Sequence, residues 1–144
     1  MTIKHVTVHQ AHARQAGGAV YLDVRSVPEF EQGHPTGAFN VPLLHLDPAT
    51  GLMQPNPDFL PVVHASFSPD APLLLGCRSG VRSQHACELL ASAGYRDLAN
   101  VLGGFHGSPQ TGEAGWTQEG LPVETESDPS RTYGALREKA AGDR

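Results

Sequence analysis

Leu73-Leu74-Leu75-Gly76-Cys77-Arg78-Ser79-Gly80-Val81-Arg82-Ser83 is the stretch on which the reading of this chain turns. An apolar run with the length of a buried strand ends on a cysteine. Small and polar residues follow, two of them arginines. A helical pattern then begins, with Ala86, Leu89, Leu90 and Ala93 at i, i+3, i+4 and i+7. The carboxyl end of a strand, just ahead of a helix N-terminus, is where α/β proteins place their ligands. The unpaired N–H groups and the helix dipole at such a point favour a thiolate over a thiol. Cys77 therefore reads as a nucleophile in an anion-binding cradle. Gly80 permits a tight turn in which successive N–H groups converge on one point. Arg78 and Arg82 add positive potential, and Ser79 and Ser83 offer hydroxyl donors. No general base stands nearby, so the cysteine must act through its own ionisation.

Working outward, strand and helix signals alternate. Ile3 to Val6 is a strand candidate, followed by a helix from Val8 to Ala16 that stops at Gly17-Gly18. Ala19 to Val24 reads as a buried strand, and a polar connection carrying Pro28, Gly33 and Pro35 follows it. Phe39 to Val41 is a brief strand stopped by Pro42, and a helix is expected around Phe59 to Ala65. After the Leu73 strand and the Ser83 helix, closed by Gly94, comes a last strand at Leu98 to Leu102. That order implies an α/β fold: a single domain with a mostly parallel central sheet and helices on both faces. Residues 103–124 carry many glycines, Pro109 and Pro122 and the lone Trp116, which predicts a folded loop. The domain is expected to span residues 1–124. Residues 125–144 form a C-terminal tail in which Tyr133, Leu136 and Ala140 make one helical stripe, able to dock on the domain or to meet a partner.

Composition narrows the function classes. At 144 residues, 39% hydrophobic and 17% charged, the chain suits one ordinary globular domain. It can bury roughly two-thirds of its unfolded surface, so a core needs no disulfide or metal. The formal charge of −5 argues against nucleic acid or an anionic membrane as partner. No apolar run of about 18 residues exists. Residues 1–20 lack the basic-then-apolar order of a signal peptide, which makes the cytoplasm the expected compartment. Cys77 and Cys87 do not form a disulfide framework.

From about residue 3 to residue 124 the chain resembles the rhodanese-like sulfurtransferase family. The run from Cys77 to Ser83 resembles the family's Cys-x-x-Gly-x-Arg active-site loop. Asp23-Val24-Arg25 with Glu29-Phe30, then Gly33-His34-Pro35-Thr36-Gly37-Ala38-Phe39-Asn40-Val41-Pro42, resembles its first signature. Gly103-Gly104, Trp116 and Gly120-Leu121-Pro122-Val123 match its closing signature, with a stretch from Gly104 to Trp116 longer than in the shortest members. The resemblance implies a single rhodanese-like domain that transfers sulfane sulfur by double displacement. Cys77 would take the outer sulfur of thiosulfate or a similar small anionic donor as a persulfide. Cyanide, a thiol or a protein cysteine would then accept it. In this reading Arg78, Ser79, Gly80, Val81, Arg82 and Ser83 bind the substrate, the two arginines by orienting the donor's sulfonate, and no cofactor or metal is required.

Two other readings compete. One is a rhodanese-like module that relays sulfur to a protein or docks partners without turnover of its own. The other is phosphate-ester hydrolysis, as in cysteine-dependent phosphatases, whose arginine stands one position further from the cysteine; here that position is Ser83. The shorter loop suits a sulfur atom better than a tetrahedral phosphate.

The remaining candidates are assigned structural roles. Asp23, Arg25 and Glu29 are expected to ion-pair and brace the loop after their strand, and His34 to hydrogen-bond the backbone of that loop. His5, His9 and His12 stand at helical spacings but lack a companion carboxylate or cysteine, so a solvated helix face is expected rather than a metal site. Cys87 should pack as a small core residue with Ala86 and Leu90, and Trp116 should close a core edge.

Overall fold

Leu73, Leu74 and Leu75 are each buried to within 1%, because the strand they form lies in the middle of a sheet covered on both faces. The structure, a computed structural model, describes residues 3–142. The chain runs β1 (Lys4–Val6), α1 (Val8–Ala16), β2 (Val20–Asp23), α2 (Val27–Gln32), β3 (His34–Pro35), β4 (Phe39–Asn40), β5 (Leu44–Leu46), β6 (Met53–Pro55), α3 (Phe59–Ser66), β7 (Leu73–Gly76), α4 (Val81–Ser92), β8 (Leu98–Val101), β9 (Val123–Glu124), a single 3-10 turn (Pro129–Arg131) and α5 (Tyr133–Gly142). The main sheet has five strands in the order β1-β8-β7-β2-β4, and every pairing in it is parallel. From β7 the chain crosses to β8 on one side, whereas from β2 it crosses to β4 on the other. The carboxyl ends of β2 and β7 therefore flank a topological switch point, the crevice where open α/β sheets bind ligands.

Period-two alternation divides the core. Leu22, Leu73 and Leu75 face one cluster with Phe59, Val62, Val63, Cys87, Leu90 and Tyr95. Tyr21, Leu74, Ala99 and Val101 face the other with Val8, Ala11, Phe30 and Trp116. α3, α4 and α5 cover the first face, and α1 and α2 the second. The Tyr133, Leu136 and Ala140 stripe docks on the domain: all three are buried in the first cluster, and α5 packs on α3. Trp116 is fully buried, donates from Nε1 to the Pro122 carbonyl over 2.7 Å, and meets Tyr21 edge-on.

Three local expectations are revised. The polar connection after β2 contains a helix, α2. Ser26 caps it, its hydroxyl accepting from the Glu29 N–H, and the Glu29 carboxylate accepts in turn from the Ser26 N–H, with Pro28 in the first turn. His5 lies on β1 rather than on a helix, so the three amino-terminal histidines do not share a face; His9 bonds Glu119 at 2.9 Å and His12 packs edge-on against Trp116. The loop over residues 103–124 ends in β9, which pairs antiparallel with β3.

Gly76, the last residue of β7, touches the phenol of Tyr21, and a Cβ there would overlap its hydroxyl and ring. Gly76→Ala is expected to lower unfolding free energy by about 1–3 kcal/mol through overpacking, read from urea denaturation; an unchanged midpoint would show that Tyr21 has room to move.

Candidate active site

Cys77 follows β7 directly and is 2% exposed. Gly80, in the left-handed region at φ 104°, caps α4 at its N-terminus and donates its N–H to the Cys77 sulfur over 3.1 Å. Ser83, in the first turn of α4 and fully buried, places Oγ 3.4 Å from the same sulfur, where it accepts from the thiol. The Cys77 and Arg78 carbonyls are drawn the other way: they accept from the Phe105 N–H at 2.8 Å and the His106 N–H at 3.0 Å. Gly104 makes that docking feasible. Its φ is 56°, and a Cβ there would strike the Cys77 carbonyl. With its carbonyls held outward, the loop keeps an N–H for the sulfur.

Around this loop the charges are paired off. Asp23 and Arg25, both buried, form an ion pair of 2.7 Å after β2. Arg25 also donates to the Gly33 carbonyl and lies over the Phe105 ring, 4.3 Å from its centre. Glu29 takes two hydrogen bonds from Arg82, at 2.7 and 3.1 Å. Burial alone would raise the Glu29 carboxyl, but Arg82 and the Ser26 cap outweigh it and bring the group down to about 2. His34 contacts the Phe30 carbonyl through Nδ1 at 2.7 Å, stacks on the Phe30 ring and reaches Glu124 through Nε2 at 3.2 Å. Asp23, Arg25 and His34 thus bond within or beside the segment after β2, and Glu29 ties that segment to α4. Burial, with Glu88 and Cys77 nearby, pushes the Cys87 thiol up to about 12, in keeping with a packing residue.

The predicted loop residues separate. Arg78 is exposed and lines a cavity of about 310 Å³ with Arg25, Glu29, Gln32, Gly33, Phe105 and His106. Ser79, Gly80 and Val81 border a second cavity on the far side of the loop, of about 310 Å³, with Asn100 and Gly103. Arg82 lines neither: the structure turns it onto Glu29, tying α4 to α2, where the sequence suggested a donor-binding arginine. A further cavity of about 280 Å³, between Arg14 and Asp97, sits at the opposite, amino end of the strands. Phe105, His106 and Asn100 went unnoticed in the sequence. The aromatic pair directly after Gly103-Gly104 was the available signal for the first two. Burial, then the neighbouring Arg78 and Arg25, lower His106 below the usual imidazole range.

The model of the Rhodanese-like domain family matches residues 7–108. The chain belongs to that family. It is similar to Thiosulfate sulfurtransferase 16, chloroplastic, of Arabidopsis thaliana, at 39% identity over 82% of this chain and 90% of that protein. It is also similar to the thiosulfate sulfurtransferase GlpE of Haemophilus influenzae, at 31% identity over 87% of this chain and 98% of that one. Among solved structures, Rv0390 from M. tuberculosis superposes with a TM-score of 0.72 at 28% identity, covering 88% of this chain and all of that one. In this rhodanese-like domain the Cys-x-x-Gly-x-Arg loop, the Asp23–Arg25 brace and the Gly103-Gly104 turn meet at one end of the sheet.

The Glu29–Arg82 link carries a pH signature. A carboxyl lowered from 4.5 to about 2 contributes stability that is complete above 4.5 and is lost as the pH falls toward 2. Glu29→Gln is expected to cost about 1 kcal/mol at neutral pH, discounted for partial exposure, and the gap to the parent should close on acidification. Urea titrations at stepped pH read this; a gap that is constant with pH would assign the loss to the helix cap alone.

Proposed function

We propose that the protein is a sulfurtransferase that carries sulfane sulfur on Cys77. The observation that carries this reading is the Gly80 N–H directed at the cysteine sulfur from 3.1 Å, at the N-terminus of α4. That contact and the positive end of the helix together suit a sulfur anion. The names of the two relatives support thiosulfate as donor.

In the first half-reaction the Cys77 thiolate attacks the outer sulfur of thiosulfate. A bond forms between Sγ and that sulfur, the sulfur–sulfur bond of thiosulfate breaks, and sulfite departs with the electron pair. In the second, cyanide or a thiolate attacks the outer sulfur of the persulfide, and Cys77 leaves as the thiolate. A cysteine on a protein meets the same chemical requirement. Arg78 is the exposed guanidinium of the loop, next to Cys77 in the chain, and the group we assign to the donor's sulfonate. Arg82, committed to Glu29, shapes the loop and adds field. His106 borders the same cavity as Arg78, and burial, then Arg78 and Arg25, lower its imidazole. The geometry does not favour phosphate-ester hydrolysis: the one loop arginine near the spacing that chemistry needs is bound to Glu29.

Two measurements test the reading. In a thiosulfate:cyanide assay, Cys77→Ser should abolish turnover while Cys87→Ser leaves it largely intact, and Arg78→Ala should raise the thiosulfate KM roughly tenfold through loss of a charge-assisted contact. Turnover that survives Cys77→Ser would overturn the proposal. The His106 assignment has its own sign. Protonation, displaced to more acid pH than for an ordinary imidazole, adds a cation beside Arg78, so the thiosulfate KM should fall on acidification in the parent and not in His106→Gln; parallel profiles would remove His106 from the donor site.

A further inference from the structure

The Gly80 N–H and Ser83 Oγ lie within hydrogen-bond reach of the Cys77 sulfur, and one buried side chain from outside the loop bonds to both residues. Asn100 on β8 is 3% exposed and stands in register beside Leu75, two residues before the cysteine. Its Oδ1 accepts from the Ser83 hydroxyl at 2.6 Å. Its Nδ2 donates to the Gly80 carbonyl at 3.5 Å and to Gln84 Oε1 at 3.3 Å. The Gly80 carbonyl can only accept, so the amide nitrogen must face it and the amide oxygen must face Ser83. A hydroxyl has one proton. With that proton given to Asn100, Ser83 meets the sulfur with a lone pair. It can accept from a thiol, but it has nothing to donate to a thiolate.

We propose that Asn100 is a positioning residue for the sulfur nucleophile, holding the Ser83 proton away from Cys77 and leaving the thiolate to the backbone donor. This rests on the reading of Cys77 as the sulfur carrier. Every donor supplied to a thiolate stabilises it and also blunts it, since thiolate nucleophilicity rises with thiol basicity at a Brønsted slope of about 0.4–0.5. Donors help Cys77 leave when the acceptor attacks the persulfide, but they slow its own attack on the sulfur donor. The helix N-terminus and Gly80 already stabilise the anion. Withholding the hydroxyl keeps the sulfur reactive in the first half-reaction, and Asn100 sets that balance without touching either substrate.

The test is Asn100→Leu, which removes the acceptor, with the adjoining cavity of about 310 Å³ taking the added bulk. The Ser83 proton is then free to turn toward sulfur. Alkylation of Cys77 by iodoacetamide, followed by peptide mass across a pH series, should show its midpoint lowered by about one pH unit and its high-pH plateau reduced about threefold. In a Ser83→Ala background the same Asn100→Leu change should move neither quantity. Asn100→Asp, which keeps an acceptor on Ser83, should show no downward shift. The neighbouring groups Arg78, Arg82 with Glu29, Asp23 with Arg25, Tyr21 and Cys87 are common to all variants, so the differences report the hydroxyl. Should Asn100→Leu not fold, Asn100→Val offers the same removal with a smaller side chain. A folded variant with no shift, or an equal shift with and without Ser83, would overturn the proposal. Alkylation needs no sulfur donor, so a parent protein without thiosulfate turnover would count against the functional reading while leaving this result standing.

Discussion

The arrangement depends on how the backbone after Cys77 is turned. Phe105 and His106 take the Cys77 and Arg78 carbonyls from outside, which leaves an N–H of the next turn for the sulfur. A chain that reversed this polarity would present carbonyl oxygens to a thiolate, and no nearby arginine would repair the repulsion. Glycine is required on both sides of the contact. Gly80 adopts a left-handed φ at the cap of α4, and Gly104 lies against the loop backbone where a Cβ has no space. The buried strand β7 delivers the cysteine, and the parallel neighbours β2 and β8 deliver its supports at the same end of the sheet. The sulfur is thus placed by main-chain hydrogen bonds, which hold their position better than long side chains do.

Charge is distributed with a similar economy. The protein carries a formal −5, yet three arginines gather around this loop. Two are tied down: Arg25 by Asp23 in the interior, and Arg82 by Glu29 between α4 and α2. Burying a guanidinium without a partner would cost several kcal/mol, and these pairings avoid that cost while stiffening the walls. Arg78 is left exposed on the rim of a cavity it shares with Arg25, Phe105 and His106, where its positive potential reaches solvent.

Much of this was readable in the sequence where the signal is contiguous. The Leu73 strand, the cysteine after it, Gly80 and the α4 periodicity stand side by side in the chain, and the two faces of the sheet follow from alternation at Tyr21, Leu22 and Leu73 to Leu75. α2 was also within reach, since Ser26 and Glu29 form a capping box around Pro28, but the short apolar content of that segment obscured it. The β5–β6 hairpin was not, because three-residue strands ending on Pro55 carry no period worth the name. Other features lie beyond local reading altogether. Glu29 and Arg82 are separated by 53 positions, and Ser83 and Asn100 by 17. Nothing in residue type says which carboxylate an arginine will choose, or that an asparagine on β8 will settle beside Leu75. Those pairings arise from strand order, which only the folded sheet sets.

The central claim is that one particular sulfur atom becomes a covalent carrier, and mass measures that directly. After incubation with thiosulfate in the absence of an acceptor, followed by removal of small molecules, the intact protein should gain one sulfur. Peptide mapping should place it on Cys77, and dithiothreitol or cyanide should remove it. An unchanged mass under these conditions, or sulfur found on Cys87, would contradict the account.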